Sequence, residues 1–222
     1  MVQKKYDTKH LLGNYPFLVQ ENFFISLLIR SNEGLIKLAK KYKLDCAELE
    51  HWQMLSKKSF LNKFWDEHHG NFYPYDLNSN SLIKKDIVGA FVSLFAGIPT
   101  NEQAKRLVQL IESDFELNEN WYLCASFSPK AKDFDSKKYW RGPLWPNVNW
   151  LLYHGLKRYG YDDLANKIKT QTIHLIETVG FYEYFNPAPN QQVGKQDIGL
   201  GGHNFSWTSA IYLDFKNNTV IL

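Results

Sequence analysis

No apolar run in the 222 residues approaches the ~18 needed to span a bilayer. The N-terminus, MVQKKYDTKHLLGNYPF, lacks the apolar core of a secretory signal. Cysteine is scarce: Cys46 and Cys124 stand far apart, with no CxxC and no Cys/His cluster. That argues against a structural zinc site and fits a reducing compartment better than a disulfide framework. A soluble cytoplasmic protein is expected. An excess of one charge is also lacking, since 26 Lys and Arg face 23 Asp and Glu. The lysine pairs beginning at Lys4, Lys40, Lys57, Lys84 and Lys137 are spread along the chain. A nucleic-acid surface would concentrate them on one face, so none is expected. There is no GxSxG, P-loop or dinucleotide fingerprint, and His68-His69 does not have the HExxH spacing. Neither a cofactor nor a metal is expected.

What the chain has is aromatics, at 16% of residues with seven Trp and thirteen Tyr. Tyr139, Trp140, Trp145 and Trp150 crowd one short stretch, KYWRGPLWPNVNWLL. Downstream, GFYEYFNP carries Glu183 among aromatics, and GGHNFSWTSA pairs a glycine-rich turn with Trp207. These three stretches read as one wall of a sugar-binding pocket. The alternative is an aromatic-rich core. The length suffices for one domain with a sizeable interior.

Apolar residues recur at three- and four-residue spacings over 17–42, predicting either one helix or two, the two then separated by a break at Asn32 and Gly34. Asp45, with Glu48 three residues on, is the expected cap of a helix running to about Trp65. That helix should bury Leu49, Trp52, Leu55, Phe60, Leu61 and Phe64. NFYPYDL reads as a hairpin arm. A short buried helix is expected over 86–95, and another from Asn101 behind a Thr100 cap. Residues 113–138 read as irregular. Helices follow over 145–159, from Asp162 or Asp163 to Val179, and over 205–215. The pattern of helix, polar turn and helix predicts an all-α array: a bundle, a solenoid or an α/α toroid.

Glu183 is the favoured catalytic carboxylate. Flanking aromatics hold it partly out of water, which suits a general base better than an exposed Glu. The alternative is that it points outward between two tyrosines. Arg141 either holds a ligand carboxylate or hydroxyls in fixed geometry, or anchors its own loop. Trp145 and Trp207 either stack on sugar rings or belong to the core. His203 is more readily a structural hydrogen-bonder than a ligand contact. Asp66 and Glu67 lie at a helix end, where solvation is expected.

YWRGPLWPNVNWLLYHGLKRYG, GFYEYFNP and GGHNFSWTSAIYLDF, in that order, resemble the C-terminal catalytic region of glycoside hydrolase family 63. The resemblance is strongest to its mannosylglycerate/glucosylglycerate hydrolase-like branch, and trehalases share a related layout. FLVQENFFISLLIRSNEGLIKLAKKYKLD and FWDEHHGNFYPYD resemble helices that precede those motifs, so nearly the whole chain is covered. The resemblance implies an (α/α)6 toroid, here a single partial domain over 1–222. It also implies hydrolysis of small α-glucosides or α-mannosides with inversion. Such chemistry uses two carboxylates, roughly 6.5–9.5 Å apart, as acid and base. Glu183 matches the base. Tyr139, Trp140 and Trp145 match pocket-lining positions, and Trp207 matches its position in residue type.

Two departures stand out. Asn186 replaces an Asp usual in the family motif. The family's general acid, an Asp in a Trp-Asp motif of the N-terminal half, has no counterpart, since Trp65-Asp66 matches a later segment. The expectation is a region holding the base side of the site, without its acid and without the first hairpins of the toroid. Little glycosidase activity is expected from the chain by itself, and exposed apolar faces should seek the missing half or a self-association partner. The alternative is a non-catalytic carbohydrate-binding or degenerate form.

Overall fold

The computed structural model describes residues 15–118, 121–188 and 197–217. Among the described residues seven α-helices dominate: α1 Asn22–Lys41, α2 Ala47–Phe64, α3 Gly89–Phe95, α4 Asn101–Leu110, α5 Pro146–Arg158, α6 Asp162–Val179 and α7 Ser206–Asn217. The strands are short: β1 Val19–Gln20, β2 Trp65–Asp66, β3 Asn71–Phe72, β4 Tyr75–Asp76, β5 Ser81–Leu82, β6 Tyr182–Phe185 and β7 Gly199–His203. They pair antiparallel as β1-β4-β5, β2-β3 and β6-β7.

The helices pack as successive hairpins. α1 packs on α2 and α3, α3 on α4 and α5, and α5 on α6 and α7. The row α1, α3, α5, α7 therefore forms one layer, with α2, α4 and α6 against it. α3 lies at the centre, and every residue from Gly89 to Leu94 is buried. Gly155 lets α5 approach it, because a side chain there would start 2.7 Å from the Phe95 amide nitrogen and 2.9 Å from Leu94 Cβ. The main core gathers Phe60, Phe72, Phe91, Leu107, Ile111, Phe115, Leu152 and Ile168. A smaller core of Leu144, Leu175, Ile176 and Phe185 lies under the β6-β7 hairpin.

Several helix ends differ from expectation. α1 runs unbroken through Gly34, and Glu21 caps it by accepting from the Phe24 amide at 2.9 Å. One exposed glycine costs a helix only about 1 kcal/mol, less than the packing of α1 against α2 and α3 supplies. Open space surrounds the position where a Gly34 side chain would begin. Gly34→Ala should therefore stabilise the protein by about 0.5–1 kcal/mol, read as a higher thermal midpoint; a lower one would contradict the continuous helix. Cys46, not Asp45, is the N-cap of α2, and Asp45 instead accepts from the Ala47 amide at 3.0 Å. Thr100 does cap α4, in a capping box completed by Gln103. α4 then widens into a π-turn, Ile111–Phe115. Tyr161 precedes α6, whose first turn holds Asp162 and Asp163.

α2 buries Phe60 and Phe64, but Trp52 and Leu55 are exposed. On α1, Phe24, Leu28, Leu35 and Leu38 fall at spacings of four, seven and three residues, which keeps them on one side of the helix, and are 47–70% exposed. Among the described residues nothing covers this apolar stripe. No helix among the described residues is long and apolar enough to cross a membrane.

Glu33 ties α1 to the end of α5. Arg158 lies 3.0 Å from its carboxylate and Arg30 2.8 Å. Burial disfavours the Glu33 charge, but the two guanidinium groups outweigh it and bring the carboxyl down from 4.5 to about 2. A lowered folded-state value stabilises the protein above the unfolded value, and that contribution disappears as pH falls toward 2. Urea midpoints of the wild type and Glu33→Gln should differ above pH ~5 and converge near pH ~2. A gap independent of pH would show that the pair contributes nothing by ionisation.

Candidate active site

Glu183 projects from β6, and two features aim it. Tyr182 pairs with His203 and Tyr184 with Leu200, so β7 carries one extra residue opposite Glu183. Such a bulge bends a hairpin and redirects the facing side chain. The extra length is glycine. Gly201 has a φ of +73°, and a side chain there would start 2.6 Å from Glu183 Oε2. The Gly202 amide donates to that oxygen at 3.1 Å. The other oxygen, Oε1, accepts from the Tyr139 hydroxyl at 3.1 Å. The half-buried carboxylate is thus held from both sides by donors.

Tyr139 reaches it because its loop is fastened to β6. Leu144 and Phe185 exchange two backbone hydrogen bonds, of 2.7 and 2.8 Å. Within the loop, Tyr139 is left-handed at φ +31°, and its carbonyl accepts from the Trp145 indole at 3.2 Å. Gly142 donates to the Ser126 hydroxyl at 3.1 Å.

The aromatics form a stack. Trp140 lies on Trp145 with ring centres 4.4 Å apart and planes 5° off parallel. Tyr184 covers Trp145 from the other side at 4.8 Å. Trp145 is only 5% exposed and supports the wall from beneath. Tyr139 and Trp140, each nearly half exposed, present the accessible surface.

The structure thus brings Tyr139, Trp140, Trp145 and Glu183 together. Arg141 is exposed at the loop's edge, with its amide and carbonyl bonded to Lys138 and Asp135. Trp207 is 61% exposed in the first turn of α7, its ring beside Phe205. His203 is exposed, with its ring 4.8 Å from Tyr182.

Asp66 differs from the solvated helix end expected for it. It is buried in the β2-β3 hairpin, bonded to Lys84 and accepting from the His69 amide at 3.0 Å. The Lys84 bond, with that amide, holds its carboxyl far below the usual range. Asp66, His68 and His69 lie close enough together to share a cation, but the Lys84 ammonium already holds Asp66.

Sequence reading missed two residues. Tyr184 completes the stack. Glu21 lies at the start of α1, where burial pushes its carboxyl up despite hydrogen bonds from the Phe23 and Phe24 amides. The signal for Glu21 was a carboxylate one residue before an apolar helical run.

Residues 1–208 match the family described as the mannosylglycerate hydrolase MGH1-like glycoside hydrolase domain. The chain belongs to this family. It is 34% identical over 214 residues to a mannosylglycerate hydrolase of Rubrobacter radiotolerans, covering 96% of the chain and 47% of the relative. The GH63 mannosylglycerate hydrolase of Thermus thermophilus, solved with glucose, matches at 33% identity and a TM-score of 0.88, covering 97% of this chain and 49% of that one. The same hydrolase solved with Tris and D-glycerate gives 0.87 over 97% and 50%. This family member therefore spans about half the length of the relatives it matches. Its helical hairpins correspond to about half of an (α/α)6 toroid.

Proposed function

We propose that this chain supplies the base side of an inverting α-glycosidase, with Glu183 activating the attacking water. The observation that carries this reading is the two-sided clamp on Glu183, Tyr139 Oη on one oxygen and Gly202 N–H on the other, beside an exposed aromatic wall. A base must be fixed within reach of the proton it takes, and two donors, one a side-chain hydroxyl and one a backbone amide, do this. Tyr139 and Trp140 form the sugar-facing surface, with Trp145 behind them. Arg141 and Trp207 are rim contacts. The substrates are small α-mannosides or α-glucosides, mannosylglycerate and glucosylglycerate among them.

A second carboxylate must act as acid across the bond. Helices that complete the ring would supply it and would cover the α1 stripe. The chain alone should therefore turn over mannosylglycerate, glucosylglycerate or kojibiose slowly or not at all, and should self-associate in sedimentation. A chimera placing it behind the N-terminal half of the Thermus hydrolase should hydrolyse one of these. Proton NMR should then show the β-anomer of the sugar first. The α-anomer appearing first would overturn inversion. No turnover from any form, with sugar binding retained, would favour the non-catalytic carbohydrate-binding reading.

A further inference from the structure

A cavity of about 350 Å3 opens between the start of α1 and the aromatic loop. Glu21, Phe23 and Phe24 line it from α1, Gly89 from α3, and Trp140 from the loop. Trp140 is thus shared: one face lies on Trp145 in the stack beside Glu183, and the ring meets Phe23 edge-on at 6.4 Å. The cavity continues the wall of the candidate active site on the far side of that stack.

Among the described residues its one carboxylate is Glu21. The two Glu21 hydrogen bonds come from backbone amides at the helix start, and no cation pairs with it among the described residues. Gly89 keeps the space beside it open: a side chain there would start 3.3 Å from Glu21 Oε1 and 3.2 Å from Phe23 Cβ. A partly dehydrated carboxylate with spare acceptor capacity, beside aromatic surface, suits a ligand that donates hydroxyls and has one apolar face. It repels an anion.

We propose that this cavity is a second sugar subsite that takes a neutral pyranose ring. Trp140 lies under the C–H face, and Glu21 Oε1 accepts from a ring hydroxyl. This rests on the glycosidase reading and deepens it. Neutral sugar goes to the α1 side of Trp140, and a glycerate carboxylate is excluded from there.

The test is binding to the 222-residue chain, followed by tryptophan fluorescence and ligand-observed NMR. The probes are methyl α-mannopyranoside, methyl α-glucopyranoside and sodium D-glycerate. Glu21→Thr keeps a capping oxygen at the helix start and removes the carboxylate. It should weaken glycoside binding about tenfold, the loss expected for one charge-assisted hydrogen bond, with the thermal midpoint little changed. Glu21→Gln, closer in shape, should give a smaller loss in the same direction. Glycoside binding that survives both Glu21 substitutions would overturn the subsite. So would a wild-type chain that binds no glycoside, or one that prefers D-glycerate. None of these results touches the hydrolase reading, which fails only if the chimera shows no Glu183-dependent turnover.

Discussion

Replacing Glu183 by Gln should lower single-turnover hydrolysis in the chimera by about 10²–10⁴-fold, the usual contribution of a positioned general base. Sugar affinity should stay within about threefold, because Gln has the same shape and still accepts from the Tyr139 hydroxyl or the Gly202 amide. The split matters more than the size of the loss. Glu183 acts on the water and not on the ground-state sugar, so its removal should appear in kcat with KM little moved. A loss below about tenfold would remove Glu183 from the base role. A large rise in KM with kcat unchanged would make it a binding residue.

Gly142→Ala should be the most damaging substitution outside the carboxylate. A side chain at Gly142 would begin 2.2 Å from the Asp135 carbonyl oxygen and 2.8 Å from Ser136 Cα. Both are backbone atoms, so no rotamer change relieves the overlap. The two strands of the loop must part instead, along with the Gly142–Ser126 hydrogen bond and the Asp135–Arg141 backbone pairing. Overpacking of this kind costs about 3 kcal/mol. Because Tyr139 and Trp140 ride on this loop, the Trp140–Trp145 stack and the Tyr139–Glu183 bond should be lost together. Near-ultraviolet circular dichroism would report the loss of the stack, and urea unfolding the loss of stability. A variant with wild-type stability and an intact aromatic signal would show that the loop spreads without cost.

Much of this was legible in order along the chain. Apolar spacing placed the helices, and Thr100 marked the start of one. Pro146 and Gly180 marked ends of two others, because their backbone preferences are local. Local rules failed where tertiary packing outweighed them. Gly34 reads as a break but lies within α1, and Asp45 reads as a cap but stops one residue short. Trp52 and Leu55 fit the periodicity of a buried face, yet face solvent among the described residues. Periodicity shows that a face is apolar without showing what covers it.

At the site, the sequence by itself determined the chemistry on offer: Glu183 among aromatics, the Tyr139–Trp145 loop, and the glycines at 201 and 202. Those follow from residue types and short spacings. Only the tertiary structure decided their roles. The β6-β7 bulge turns Glu183 toward the Tyr139 hydroxyl, 44 residues back in the chain. The Leu144–Phe185 pairing makes that contact possible. Trp145 is sandwiched while Trp140 stays open, and Glu21 and Gly89 frame a cavity beside it. These are contacts between distant segments, fixed by packing and hydrogen-bond closure, and no local pattern encodes them.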